Sequence, residues 1–356
     1  MPVPPSGFDV AQNSIPHGTV TASINYPTRN HGNRQVSIYL PPGYSTATKY
    51  PVLYLLHGVG GNQVSWIGQG SNEGTAQHVM DFLYSKNLAK PMIIVMPMGN
   101  MTNTTGDTWL NFGDVLMNDL VPYVQTTYSA ATDGLNRAIA GLSQGGGQTL
   151  NFGPKNSAFF NWVGAFSPAP IAGQPAPNFP EVSTIRANLK LFWLSCGTAE
   201  PDFALNNCKN YHDFVTTNNF TQHMLQMEPG LDHNKPVWNR SLYNYAQRIF
   251  TGNSTGISGH AAPASDPARV TLRMNRAGGT LQFSIFAPSG TVSLDVLRPD
   301  GSRAAALGSR PLASGLAEFS WDGRIAGAPA PAGVYYAFIR RNGLKAEGHR
   351  FVLSAQ

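Results

Sequence analysis

The segments RQVSIYLPPGY, YPVLYLLHGVGG, PMIIVMPMGN, RAIAGLS, WVGAFSPA and LKLFWLSCGT all read as strands, and several of them are unbroken apolar runs. An unbroken apolar strand has no face for water and must be covered on both sides. Between these runs lie TAQHVMDFLYSKNLA and DVLMNDLVPYVQTTYS, whose apolar residues recur at helical spacing. Strands buried on both faces and alternating with helices predict an α/β fold, a mainly parallel sheet with helices packed on either side. In such sheets ligands bind beyond the carboxyl ends of the strands, so the loops there are where chemistry is expected.

The pattern ends near residue 251. TGNSTGISGHAAPASDPAR is rich in Gly, Ser, Pro and Ala and lacks apolar periodicity, as a linker does. Beyond it, short alternating segments separated by PSG, PDG, WDG and RNG turns predict a small antiparallel β-sandwich. The expected division is therefore an α/β domain over 1–251, a linker over 252–267 and an all-β domain over 268–356. A chain of 356 residues suits this, since single cores stop growing at roughly 250–300 residues. From Ala268 onward there are 11 Lys and Arg against 5 Asp and Glu, leaving 13 against 14 in the remainder. The basic excess belongs to the second domain, but its arginines are dispersed and sparsely interleaved with aromatics. That argues for a solvated structural sandwich over a binding module for an acidic polymer or surface; neither nucleic acid nor membrane is expected as a partner, and polysaccharide contact by this domain is the alternative role.

Gly141-Leu142-Ser143-Gln144-Gly145 is a G-x-S-x-G placed after the strand RAIA and before the helix-like GGQTLNFG. This is the setting of a nucleophile elbow, in which a serine stands on a sharp strand-to-helix turn. A Cβ two residues to either side of Ser143 would collide with its neighbours, which accounts for the glycines. A serine hydroxyl needs a base to take its proton and an acid to orient that base, and in this fold they follow in the order Ser, acid, His. Of the histidines after Ser143, His260 lies in the linker, His349 in the second domain, and His212 and His223 flank the helix-like NYHDFVTTNNF. His233, in the Gly/Pro-rich loop EPGLDHNKPVW, is the expected base. For the acid, LKLFWLSCG runs into TAEPDFALNN, which offers Glu200 and Asp202. Asp202 is preferred as the shorter side chain; Asp232, adjacent to the base, is poorly placed to face it.

The tetrahedral intermediate of acyl transfer carries an oxyanion that needs two N–H donors. The Gln144 amide supplies one by position, and the loop His57-Gly58-Val59-Gly60-Gly61 offers Val59 for the other. His57 itself reads as a structural hydrogen-bonder beneath that loop. Trp66 is a candidate to hold a ring of the substrate, with core packing as the competing role, and Trp238 reads as a packing residue that fixes the His233 loop. Cys196 and Cys208 carry no zinc-binding spacing and form a disulfide or remain free depending on compartment.

Taken together, HGVGGNQVSW, NDLVPYVQTTYS, RAIAGLSQGGGQTLNFG, CGTAEPDF and GLDHNKPVW resemble the feruloyl esterases and related acetyl xylan esterases of carbohydrate esterase family one, over about residues 15 to 250. The resemblance implies an α/β-hydrolase that cleaves hydroxycinnamate esters of cell-wall arabinoxylan with no metal and no cofactor. It implies Ser143 as nucleophile, His233 as base and Val59 and Gln144 as oxyanion donors. The loop after C-G-T is longer than the family's, which keeps Glu200 beside Asp202 as the acid. The second domain resembles the immunoglobulin-like modules that end many secreted bacterial enzymes. An acetyl xylan esterase or general carboxylesterase is the alternative within this chemistry, and a catalytically silent carbohydrate-binding protein the alternative outside it.

Only 12% of residues are charged, about half the usual share, which fits a secreted enzyme. No stretch of 18 or more apolar residues occurs, so no membrane-spanning helix is expected. MPVPPSGFDV lacks the basic and apolar regions of a secretion signal, and the expectation is an exported chain whose signal is absent from this sequence.

Overall fold

In the computed structural model the described residues are 3–69, 74–100, 109–251, 271–277, 280–286, 290–298, 302–311, 316–341 and 344–353. The chain divides into two units, Met1–Gly256 and Ile257–Gln356. The linker expected over 252–267 lies outside the described residues.

The first unit is built on an eight-stranded sheet in the order β1-β2-β4-β3-β5-β6-β7-β8. Its strands are β1 (Thr19–Pro27), β2 (Asn33–Leu40), β3 (Val52–Leu56), β4 (Ile93–Pro97), β5 (Arg137–Leu142), β6 (Trp162–Phe166), β7 (Leu191–Gly197) and β8 (His223–Glu228). β1 and β2 pair antiparallel, β2 joins β4 antiparallel, and the sheet is parallel from β4 to β8. Every residue of β3, β4, β5, β6 and β7 is buried. Their side chains alternate between two cores: Val52, Tyr54 and Leu56 lie in one, Leu53 and Leu55 in the other. Helices α4 (Gln144–Lys155), α5 (Val182–Asn188) and α6 (Asp202–Thr217) contribute to the first core, and α1 (Ala76–Ser85) and α7 (Lys235–Ala246) to the second. This is the doubly covered α/β sheet expected from the apolar runs.

The segment DVLMNDLVPYVQTTYS does not form one regular helix. α2 (Phe112–Val115) passes through a π-helical turn at Leu116–Leu120 into α3 (Val121–Thr127). Pro122 has no amide to donate and crowds the preceding turn, and the widened π turn lies immediately before it. Among the described residues no helix is long and apolar enough to cross a membrane.

β3 is where the winding reverses, since β4 lies on one side of it and β5 on the other. The crevice at the carboxyl ends of β3 and β5 is the position that this topology leaves open for a ligand. HGVGG follows β3 and Ser143 follows β5, so the two motifs meet there.

Among its described residues the second unit is all β. A three-stranded sheet in the order β13-β10-β9 is formed by β9 (Thr271–Ala277), β10 (Thr280–Phe286) and β13 (Leu316–Trp321), and a four-stranded sheet in the order β12-β11-β16-β17 by β11 (Thr291–Leu297), β12 (Arg303–Pro311), β16 (Gly333–Arg341) and β17 (Leu344–Leu353); a short pair, β14 (Arg324–Ile325) with β15 (Ala328–Pro329), accompanies them. Phe283, Ile285, Phe319 and Trp321 of the first sheet share one core with Val292, Leu294, Val296, Tyr335, Ala337 and Ile339 of the second. Two antiparallel sheets enclosing one core match the alternating pattern read from the sequence.

Candidate active site

Ser143 caps α4 with φ 51° and ψ −114°, a left-handed conformation that costs an L residue about 1–3 kcal/mol. Its surroundings hold it there. The Ser143 amide donates to the Phe166 carbonyl at 2.9 Å, and its own carbonyl accepts from the Ala169 amide at 2.8 Å. A Cβ on Gly141 would lie 2.5 Å from the Gly145 carbonyl, and one on Gly145 would lie 2.5 Å from the His57 oxygen. Only glycine lets the elbow touch the end of β3 backbone to backbone.

Three side chains from three loops line up behind this serine. His233 Nε2 lies 2.9 Å from Ser143 Oγ, and His233 Nδ1 lies 2.9 Å from Glu200 Oε2. The other carboxylate oxygen of Glu200 accepts from the Ser167 hydroxyl at 2.6 Å and from the Gly197 amide at 2.7 Å. The Glu200 side chain is fully buried and that of His233 is 19% exposed. A buried carboxylate with a donor on each oxygen is compensated, and the imidazole it holds presents Nε2 to the hydroxyl.

The acid facing the base is thus Glu200 and not Asp202. β7 ends at Gly197 and the chain turns at once, with Thr198 and Ala199 tied by their amides to the carbonyls of Glu228 and Leu231. That turn folds Glu200 back beneath the strand end, whereas Asp202 is already the first residue of α6 and is exposed. Asp232 is engaged with the backbone, accepting from the His233 amide at 2.7 Å.

The HGVGG loop is braced from below. The Gly99 amide donates to His57 Nε2 at 2.9 Å, which leaves the proton on Nδ1, 2.7 Å from the Gly58 carbonyl. Burial lowers the His57 pKa to about 4, against an opposing contribution from the Gly58 carbonyl, so the ring is neutral. Asn100 then links loop to elbow: its Nδ2 donates to the Gly61 carbonyl at 3.1 Å and its Oδ1 accepts from Gln144 Nε2 at 2.8 Å. Val59 is 67% exposed at the tip of the loop. Gln144 opens α4, so its amide has no carbonyl one turn back to serve.

Trp66 is not part of the site. It is buried in the second core, its indole donates to the Leu56 carbonyl at 2.9 Å, and its ring meets Phe166 edge-on. The loop that carries Trp66 folds under HGVGG, where a large apolar ring gains more by burial than at the mouth of a cleft. Trp238 packs edge-on against His233 with ring centroids 5.3 Å apart. Cys196 and Cys208 are free and buried.

A family model described as "Putative esterase" matches residues 28–242. The chain belongs to this esterase family. Among curated proteins the esterase is 30% identical over 262 residues to an endo-1,4-beta-xylanase/feruloyl esterase of Xylanibacter ruminicola, covering 70% of this chain and 34% of that one. It is 29% identical over 126 residues to endo-1,4-beta-xylanase Y of Acetivibrio thermocellus, covering 33% of this chain and 11% of the relative. The esterase therefore spans about a third or less of the length of these relatives. Among solved structures it is similar to a CE1 ferulic acid esterase of Anaeromyces mucronatus in complex with ferulic acid, with TM-score 0.59, 26% identity, and 69% of this chain and 96% of that chain covered. The feruloyl esterase module of Clostridium thermocellum complexed with sinapinate shares the fold at TM-score 0.61 and 20% identity, over 72% of this chain and 96% of that chain.

Three residues of the esterase's site take no role from the motifs of the sequence. Ser167 stands one residue past β6, Asn100 three past β4, and Phe203, 41% exposed, meets the His233 ring edge-on at 5.3 Å between centroids. Ser167 and Asn100 are signalled only by position, shortly after strands, and Phe203 only by following Asp202 in CGTAEPDF.

Proposed function

We propose that this protein is a serine esterase that hydrolyses hydroxycinnamate (feruloyl) esters of plant cell-wall arabinoxylan through an acyl-enzyme on Ser143. The observation that carries the proposal is the unbroken line Ser143 Oγ, His233 and Glu200, with 2.9 Å at each joint, at the switch point of the sheet. Similarity to a xylanase/feruloyl esterase and to a CE1 ferulic acid esterase supports the acyl class.

In the proposed cycle Ser143 Oγ attacks the ester carbonyl carbon while His233 Nε2 takes the hydroxyl proton. Glu200 holds the imidazole by Nδ1 and offsets the positive charge it gains. The amides of Val59 and Gln144 receive the oxyanion, their loops held in register by Asn100. His233 then gives its proton to the departing sugar oxygen, and water enters by the same route to release the acid and restore Ser143. Export from the cell is part of the proposal, because arabinoxylan is an extracellular polymer. The all-β unit is proposed as a spacer or polysaccharide-attachment module.

The test is hydrolysis of methyl ferulate, 4-nitrophenyl acetate and acetylated xylan by the wild type and Ser143→Ala. Efficient ferulate release that disappears in Ser143→Ala is expected. Acetyl turnover alone would move the assignment to an acetyl xylan esterase, and turnover surviving in Ser143→Ala would refute the serine mechanism.

A further inference from the structure

We infer that Ser167 and Trp238 are positioning residues for the acid: Trp238 sets the direction of the Ser167 hydroxyl, and Ser167 fixes the rotamer of Glu200. The inference rests on the serine-esterase reading above. Ser167 is fully buried and has φ 46°, the left-handed region in which glycine is the unstrained choice. Its amide donates to the Ser195 carbonyl at 2.7 Å, tying the residue to the end of β7 beside Glu200. A chain that keeps a serine at a glycine-favouring position keeps it for the hydroxyl.

That hydroxyl has one proton to give. The Trp238 indole N–H, which can only donate, lies 3.2 Å from Ser167 Oγ. Oγ accepts it and turns its own proton to Glu200 Oε1, 2.6 Å away. The Gly197 amide fills the second position on that oxygen, and Oε2 is left for His233. A glutamate has one more rotatable bond to arrest than an aspartate, and two donors on Oε1 arrest it. Because the Trp238 ring also abuts His233 edge-on, one side chain of α7 locates the base directly and the acid through Ser167.

The experiment uses the full chain and 4-nitrophenyl acetate. Ser167→Gly removes the hydroxyl and relieves the backbone, and thermal unfolding checks that the variant keeps its fold. We expect kcat to fall about 10–100-fold with KM unchanged, by analogy with the loss seen when a partner that orients a metal-ligating side chain is removed. Trp238→Phe, which keeps a ring against His233 but removes the N–H, is expected to lower kcat about 3–10-fold, a fraction of that range. The double variant is expected to match Ser167→Gly alone, and Ser167→Gly is expected to cost nothing further in a Glu200→Gln background. A kcat for Ser167→Gly within about twofold of wild type, multiplying losses in the double variant, or an effect confined to KM would overturn the inference. Ser143→Ala separates the two levels. If it is inactive while Ser167→Gly is unaffected, only the positioning inference falls; if it still turns over, the esterase reading falls with it.

Discussion

Replacing Glu200 by Gln keeps the shape of the side chain and removes its charge, and the structure sets the expected loss. The imidazolium formed in the transition state would sit with its charge about 4 Å from that of the carboxylate, where the attraction at an effective dielectric of about 20 is about 4 kcal/mol. The contact behind this is the 2.9 Å bond between His233 Nδ1 and Glu200 Oε2, with the carboxylate wholly shielded from water. At 1.36 kcal/mol per factor of ten, a loss of that size is about a thousandfold in kcat. Asp202 is exposed, and a solvated charge of its kind is screened, so Asp202→Asn is expected to change kcat by less than about fivefold. Both variants would be assayed with 4-nitrophenyl acetate and methyl ferulate, with thermal unfolding as the check on folding. Equal losses in the two variants, or a Glu200→Gln enzyme with more than about a tenth of wild-type kcat, would refute the assignment of the acid.

Gly145→Ala would place a methyl 2.5 Å from the His57 oxygen and 2.7 Å from the Leu56 carbonyl, both main-chain atoms that cannot rotate away. A stability loss of about 3 kcal/mol or failure to fold is expected, and an unchanged urea midpoint would contradict the elbow packing. His57 is buried neutral with a pKa lowered to about 4 from 6.5, so between those values the unfolded chain binds a proton that the folded chain refuses. The stability this contributes is complete above pH 6.5 and is lost as pH falls towards 4, by up to about 3 kcal/mol; His57→Gln is expected to flatten that part of a urea-denaturation profile. The Cys196 thiol is pushed well above its usual range by its contact with Cys208 and by burial. Ellman's reagent is expected to find no thiols in the native protein and both in denaturant without reductant; none in denaturant would mean a disulfide.

The central strands were legible because burial on both faces writes itself as an unbroken apolar run. LFWLSCG and VLYLL admit no other placement in a soluble sheet. Ser143 and His233 could be singled out because a glycine-flanked serine and a histidine in a Gly/Pro-rich loop are local patterns, and the structure sets them 2.9 Å apart. What the sequence left open is whatever turns decide. Trp66, open in the sequence between site and core, is sealed beneath HGVGG, whereas Trp238, which reads as packing on the His233 loop, does touch the base. Ser167 looks like the ordinary end of a strand until its φ of 46° and its bond to Glu200 are known. The π turn before Pro122 interrupts a helical period that continues on both sides of it, and for that reason it is invisible to periodicity.

The choice between Glu200 and Asp202 turns on reach, and reach can be tested by keeping the charge. The Glu200 carboxylate spans donors on opposite sides: the Gly197 amide at 2.7 Å and the Ser167 hydroxyl at 2.6 Å on one oxygen, and His233 at 2.9 Å on the other. Gly197 belongs to the same turn as Glu200, since the Glu200 amide returns to the Gly197 carbonyl at 3.4 Å, so a shorter side chain keeps that contact most easily. Glu200→Asp withdraws the carboxylate by about the length of one C–C bond, roughly 1.5 Å, and the bond to His233 is the one left stretched. Misplacement of about 1 Å in a catalytic array costs on the order of a hundredfold, so kcat for Glu200→Asp is expected to lie between wild type and Glu200→Gln. A fully active Glu200→Asp enzyme would mean that the turn after β7 can shift to deliver the shorter acid.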